Sequence, residues 1–278
     1  MTFKNIPKIK NEKTRSIVNA LFLITCCYLI QVVFTISALV FSHYVLNDDF
    51  INLYAFIFVA YLMEIPVIIY FIKKWNLNLM QEIKPISFGV SLILLLTSLI
   101  IFLFNPVISE PVSYFENLMN GKIPVFLPRK IEVDYLFILT FFSYVIVAPI
   151  IEEIVYRGIV FNYLKRTINL MPAIIISSVL FALFHFDFSG EGVIKLISGF
   201  AFCIAYHKTK SIAAPILFHI FTNLISQLTT EQVIEASAVN ISRYIPLVIF
   251  GIFFTFFLIK EMVKKVEIPE NAIEDEKE

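Results

Sequence analysis

Glycine, charge and cysteine are scarce in this chain, and each shortage excludes a class of function. Its 278 residues include 7 glycines, and neither a Walker nor a dinucleotide glycine pattern occurs. A loop that cradles phosphates on its backbone N–H groups needs such glycines, so no nucleotide partner is expected. Charged residues make up 16% of the chain, with 22 basic against 22 acidic; soluble domains carry about 25%. Zero net charge offers no basic field to a nucleic acid, and no zinc-finger, helix-turn-helix or RNA-binding signature appears, so no nucleic-acid partner is expected either. The H-E-x-x-H spacing of common zinc proteases is absent. Cys26, Cys27 and Cys203 all fall inside apolar runs, where thiols act as small buried hydrophobes rather than as a disulfide framework.

What is present is hydrocarbon. The chain is 59% hydrophobic, and its mean hydropathy is +0.83. Several runs reach the ~20 residues that cross a ~30 Å apolar core, so the expected fold is all-α, a polytopic membrane protein whose partner is the lipid bilayer. Eight spans are predicted: Ser16–Leu46, Phe50–Ile72, Ile86–Phe104, Asp134–Leu164, Pro172–Phe186, Val193–His207, Ile212–Leu228 and Tyr244–Ile259. The first follows Lys4, Lys8, Lys10, Lys13 and Arg15, yet it is far longer than the ~7–15 residue core of a signal peptide, so a retained helix is expected. Pro149 should break or kink the long fourth span, because it lacks a backbone donor. The short fifth and sixth spans read as irregular or half-buried in protein.

Charge in the connections alternates. Lys73, Lys74 and Lys84, then Lys165 and Arg166, then Lys208 and Lys210 lie on one side, with the basic N-terminus and Lys260, Lys264 and Lys265. Asp48 and Asp49, then Asp187 and Glu191, then Glu231, Glu235 and Arg243 lie on the other, and the long connection Asn105 to Val133 is mixed. The positive-inside rule then puts both termini in the cytoplasm. Within the external connection, Ser113–Met119 suits an interfacial amphipathic helix. Three regions are expected: an N-terminal membrane region (1–133), a core (134–266) and a disordered acidic tail (267–278).

Ionisable groups inside spans are costly and mark functional sites. Tyr135 to Ile151 holds no charge, and then Glu152, Glu153 and Arg157 follow. The plain alternative is that the apolar run ends there, at the membrane surface. Glu153 and Arg157 are four apart, on one helix face, and can pair. Glu152 is rotated by roughly 100° from Glu153 and is left as a free base. His185 ends the fifth span, and His219 and Asn223 share a face of the seventh. At about 1.5 Å per residue, Glu152, His185 and Asn223 lie roughly 18, 20 and 16 Å from the basic ends of their spans, a common depth. Glu64, before Pro66, reads either as a partner for backbone freed by the proline or as a cavity-lining group. Trp75 and Tyr135 fit interfacial anchors, and His43 and His207 fit span ends.

Glu152-Glu153-x-x-x-Arg157, Phe181-x-x-x-His185 and His219-x-x-x-Asn223 together resemble the three motifs of the CPBP intramembrane protease family. This is the CAAX protease and bacteriocin-processing, or Abi, family. The resemblance runs from about Phe137 to Leu228. It implies an eight-helix membrane core that hydrolyses peptide bonds in a peptide or membrane-protein substrate. Carried over by position, Glu152 resembles the water-activating base, Glu153 and Arg157 the orienting pair, His185 and His219 polarising or metal-binding groups, and Asn223 an oxyanion donor. His185, His219 and Glu152 would suit a Zn²⁺ with one open position. A metal-free glutamate mechanism is the alternative, and both stay open. The competing functions are a non-catalytic membrane partner or immunity protein, and a transporter, whose inverted repeats are not visible.

Overall fold

A computed structural model describes residues 12–41, 53–109, 111–128, 130, 133 and 135–235. In chain order these form α1 (Glu12–Phe41), α2 (Leu53–Lys74), α3 (Phe88–Ser109), the short α4 (Pro111–Met119), β1 (Lys122–Pro128), a long helix α5 over 135–164, α6 (Leu170–Leu183), α7 (Gly190–Thr209), α8 (Ala213–Leu228) and β2 (Thr229–Glu235). Seven of the eight expected spans coincide with helices; the eighth, Tyr244–Ile259, and the acidic tail lie outside the described residues, as does His43. By length and composition, Glu12–Phe41 (30 residues) and Phe137–Leu164 (28 residues) are long enough to cross a membrane. Phe88–Leu103, Leu170–Leu183 and Ala213–Leu228 are shorter apolar helices, so the figure of eight crossings goes beyond what the described helices show.

Pro149 does not break α5. Two α-helical stretches, Tyr135–Phe141 and Ala148–Glu153, flank a π turn at Phe142–Val147, and a second π run covers Ile154–Phe161. Proline cannot donate to the carbonyl one turn back, and a wider turn is one way a helix accommodates that loss without fraying. Single π turns cluster at functional sites; here they bracket Glu152 and Glu153.

The helices are joined by polar contacts and small residues. Ser98 Oγ on α3 donates to the Phe218 carbonyl of α8 at 3.3 Å, and Thr222 Oγ1 reaches Ser98 Oγ at 3.4 Å. Gly199 on α7 lies so close to Ser178 on α6 that an added Cβ would stand 3.2 Å from the Ser178 Cα. Such small-residue contacts let helix backbones approach where no hydrophobic force drives them together. Trp75 departs from the expectation of an interfacial anchor. It is buried and stacks on Tyr163 with ring centroids 4.1 Å apart, a long-range aromatic contact that outweighs an interfacial position.

The helical expectation needs one addition, a two-stranded antiparallel ribbon. β1 pairs with β2, from Lys122 opposite Glu235 to Pro128 opposite Thr229. It ties the α3–α5 connection to the end of α8. Pro124 and Pro128 sit in β1, which is tolerated because a two-stranded ribbon has only edge strands. The expected interfacial helix of the same connection is α4.

Candidate active site

Glu153 and Arg157 are fully buried on α5 and paired at 2.7 Å between Oε1 and Nη1. Arg157 Nη2 also donates to the Gly199 carbonyl at 3.1 Å. Its guanidinium lies 4.6 Å from the Phe181 ring centroid and 5.1 Å from that of Phe202. This arginine therefore links α5, α6 and α7, and it neutralises a carboxylate that could not otherwise remain charged there. The same Glu153 Oε1 accepts from His219 Nδ1 at 3.0 Å. A carboxylate oxygen without a proton can only accept, so His219 carries its proton on Nδ1 and leaves Nε2 for the cavity. The His219 ring stacks on Phe202 at 4.9 Å.

Glu152 turns the other way. Its Oε1 accepts from Tyr61 Oη of α2 at 2.8 Å. Its Oε2 is buried without a hydrogen-bond partner and stands 3.8 Å from His185 Nε2. His185 lies just past the last residue of α6, in the turn, close to the end of the fifth span where the sequence put it. That helix has only 14 residues, about 21 Å at the α-helical rise, so it ends partway along its taller neighbours. His185 Nδ1 donates to the Phe181 carbonyl at 2.6 Å. A carbonyl cannot donate, so the Nδ1 proton lies in that bond and Nε2 is the ring atom turned toward Glu152.

Two cavities meet at this pair. One, of about 350 Å³, is lined by Glu152, His185, His219 and Asn223, with Tyr61 and Tyr144. The other, of about 290 Å³, is lined by Glu152, His185, Tyr61, Glu64, Gln31 and Cys27. Tyr61, Glu152 and His185 therefore form a shared wall. Glu64 takes the cavity-lining place: it is buried, and its Oε1 accepts from Gln31 Nε2 at 2.7 Å. Asn223 donates from Nδ2 to the Tyr144 carbonyl in the first π turn at 2.9 Å. That leaves one amide N–H for the cavity. Asp187, two residues after His185, holds Lys195 of α7 at 2.6 Å and accepts from Ser189 Oγ at 2.5 Å. These bonds, the lysine's first, hold its carboxyl well below the usual carboxylate range and pin the turn that carries His185.

The structure thus brings Glu152, His185, His219 and Asn223 to one cavity, with Glu153 and Arg157 behind them. It adds Tyr61, which has no local sequence signal; the only hint was a tyrosine three residues before the intramembrane Glu64. A catalytic zinc needs three protein donors. Glu152 Oε2 and His185 Nε2 are near enough to share an ion, yet among the described residues no group of three His, Cys, Asp or Glu side chains is gathered for one. The trio His185, His219 and Glu152 does not form a zinc set in this arrangement, and no step below passes through a metal.

Comparison with known proteins meets this geometry in the same stretch. Residues 134–225 match the family described as Rce1-like, type II CAAX prenyl endopeptidase Rce1-like. The chain is similar to the putative membrane peptidase YdiL of Bacillus subtilis (strain 168), 33% identical over 108 residues, which is 39% of this chain and 44% of that protein. It is also similar to the membrane-embedded CAAX protease MroQ of Staphylococcus aureus (strain USA300), 31% identical over 131 residues, 42% of this chain and 48% of that one. The chain therefore spans about half the length of the curated relatives it matches. No solved structure matches. The apolar helices and these membrane relatives together make the chain a membrane protein. Residues 134–225, which contain all three motifs, are thus similar to the Rce1-like CAAX endopeptidase family, in agreement with the resemblance read from the sequence.

Proposed function

We propose that the chain is an intramembrane endopeptidase that hydrolyses a peptide bond in a membrane-associated or hydrophobic peptide, with Glu152 as the base that activates water. The carrying observation is the pair formed by Glu152 Oε2, buried and unpartnered, and His185 Nε2, 3.8 Å away in a shared cavity wall. That gap is too long for a direct hydrogen bond, and the reaction calls for a water between the two atoms, admitted by a small shift of either side chain. Glu152 takes a proton from this water, and the resulting hydroxide adds to the scissile carbonyl carbon. Positioned proton transfer of this kind is worth about 10²–10⁴ in rate. Negative charge then develops on the carbonyl oxygen, where the remaining Asn223 N–H is the available donor. As the C–N bond breaks, the proton held by Glu152 passes to the leaving nitrogen. Tyr61 and the Arg157–Glu153–His219 chain act through other residues: one fixes the rotamer of Glu152, the other the ring of His219.

The cavities, small, walled by aromatic rings and opened by a few polar groups, support that substrate class. We propose that both chain termini face the cytoplasm, which the alternation of basic and acidic connections supports. The test is cleavage of a hydrophobic peptide library by the protein in liposomes, read by mass spectrometry, beside Glu152→Ala and His185→Ala. Loss of cleavage in both variants supports the reading. Products unchanged in both, or cellular function kept by both, leaves a membrane partner that acts by binding alone.

A further inference from the structure

A cavity larger than these two lies away from the carboxylates. A groove of about 890 Å³ runs between α2, α5 and α8. Ile69, Ile72, Ile83, Ile154 and Ile216 are among its walls, and Asn78 and Ser91 are the polar side chains lining it. On its rim Ile83 is 58% exposed. A surface that open and apolar in a membrane protein faces acyl chains.

Cations stand next to groove residues in the chain. The segment after α2 folds back so that the Ile212 N–H donates to the Glu82 carbonyl at 2.8 Å, and Ser211 Oγ donates to the Lys84 carbonyl at 2.7 Å. Lys84 is thereby fastened beside the α7–α8 turn that carries Lys208 and Lys210. Lys165 and Arg166, at the end of α5, complete the group. Among the described residues none of these five cations forms an ion pair with a carboxylate. The one acid among them, Glu82, accepts from Asn162 at 2.8 Å. Partial burial, and then the charges of Lys208 and Lys84, hold the Lys210 ammonium below its usual value. Lys210 itself takes the left-handed conformation that ends α7, with φ of 53°. Groove and cations are continuous in the chain: Ile83 precedes Lys84, and Ile212 and Ala213, also groove residues, follow Lys210 by two and three.

We infer that this end of the bundle is a binding site for an anionic phospholipid, with the phosphate at Lys84 and Lys210 and an acyl chain in the groove. Lys210 Nζ lies 3.3 Å from His207 Nδ1 and Arg166 Nη1 donates to the Trp75 carbonyl at 3.2 Å; cations whose partners are neutral, beside an apolar slot between helices, are complementary to both halves of that molecule, and to neither a zwitterionic lipid nor a free phosphate to the same degree. The chain would rest on Ile150, Ile151 and Ile154, so the occupant contacts the stretch of α5 that holds Glu152 and Glu153. The lipid site stands whether or not the chain cleaves peptides.

Native mass spectrometry of the full chain, released from detergent with phosphatidylglycerol or phosphatidylcholine, tests this. Phosphatidylglycerol should be retained and phosphatidylcholine should not. Lys84→Gln with Lys210→Gln should weaken retention about 30-fold, each cation being worth about a factor of five near a headgroup. Ala213→Phe, which narrows the groove and leaves the cations, should also weaken it; circular dichroism checks that both variants keep their helices. Equal retention of the two lipids, or retention unchanged in both variants, overturns the inference. So does a full chain that binds neither lipid until Glu274, Glu276 and Glu278 are changed to glutamine, because the acidic tail is then the occupant.

Discussion

Arg157→Met is the sharpest probe of how the site is held. In the wild type the guanidinium meets Glu153 Oε1 at 2.7 Å and the Gly199 carbonyl at 3.1 Å, with no exposure to solvent. Methionine fills much of the space between Phe181 and Phe202 but supplies no donor. It strands a buried carboxylate, and breaking one side of such a pair costs about 3–5 kcal/mol. At about 2–4 °C per kcal/mol this lowers Tm by roughly 6–20 °C. Adding Glu153→Gln removes the stranded charge and keeps an oxygen for His219 Nδ1, so the double variant should recover part of the loss. The difference in a double-mutant cycle isolates the pair from the packing. Thermal unfolding in detergent, followed by circular dichroism, measures all four proteins. An Arg157→Met protein with wild-type Tm, or strictly additive losses, would refute the view that this buried pair stabilises the fold.

Three further outcomes are expected. Tyr61→Phe removes the hydroxyl that holds Glu152 Oε1 at 2.8 Å; with a bond to a charged group worth about 1.5–3 kcal/mol, kcat in a peptide assay should fall about tenfold or more, and Tm should drop by roughly 3–12 °C. Gly192→Ala should destabilise the turn that carries His185, because its Cβ would lie 2.0 Å from the Asp187 carbonyl oxygen; overpacking of this kind costs about 1–3 kcal/mol, readable as faster proteolysis between α6 and α7. Chelation of divalent metals should leave cleavage unchanged, and its loss with recovery on adding zinc would contradict the two-donor reading of Glu152 and His185.

What could be read from the sequence was what is local. Glu153 and Arg157 sit one helical turn apart, so their pairing needed no tertiary information. The helices themselves followed from long apolar runs. Contacts between distant segments carried no such signal. Tyr61 reaches Glu152 across 91 positions, and Trp75 looked interfacial because nothing nearby predicts a stack on Tyr163. The π turns of α5 leave the apolar pattern unbroken, so Pro149 read as a kink. Pro124 and Pro128 argue locally against a strand, whereas the partner that makes β1 a strand begins at Thr229. His185, by contrast, ended a short span in the sequence, and the shortness of α6 is what brings it level with Glu152.

The most direct measurement is the single-turnover cleavage rate of the reconstituted protein carrying Glu152→Gln, set beside Glu64→Gln. Glutamine keeps the shape of Glu152 and an oxygen for the Tyr61 hydroxyl, but it cannot take a proton from water. The account predicts a fall of about 10²–10⁴ for Glu152→Gln, and a rate near wild type for Glu64→Gln. A Glu152→Gln protein that cleaves at the wild-type rate would contradict it.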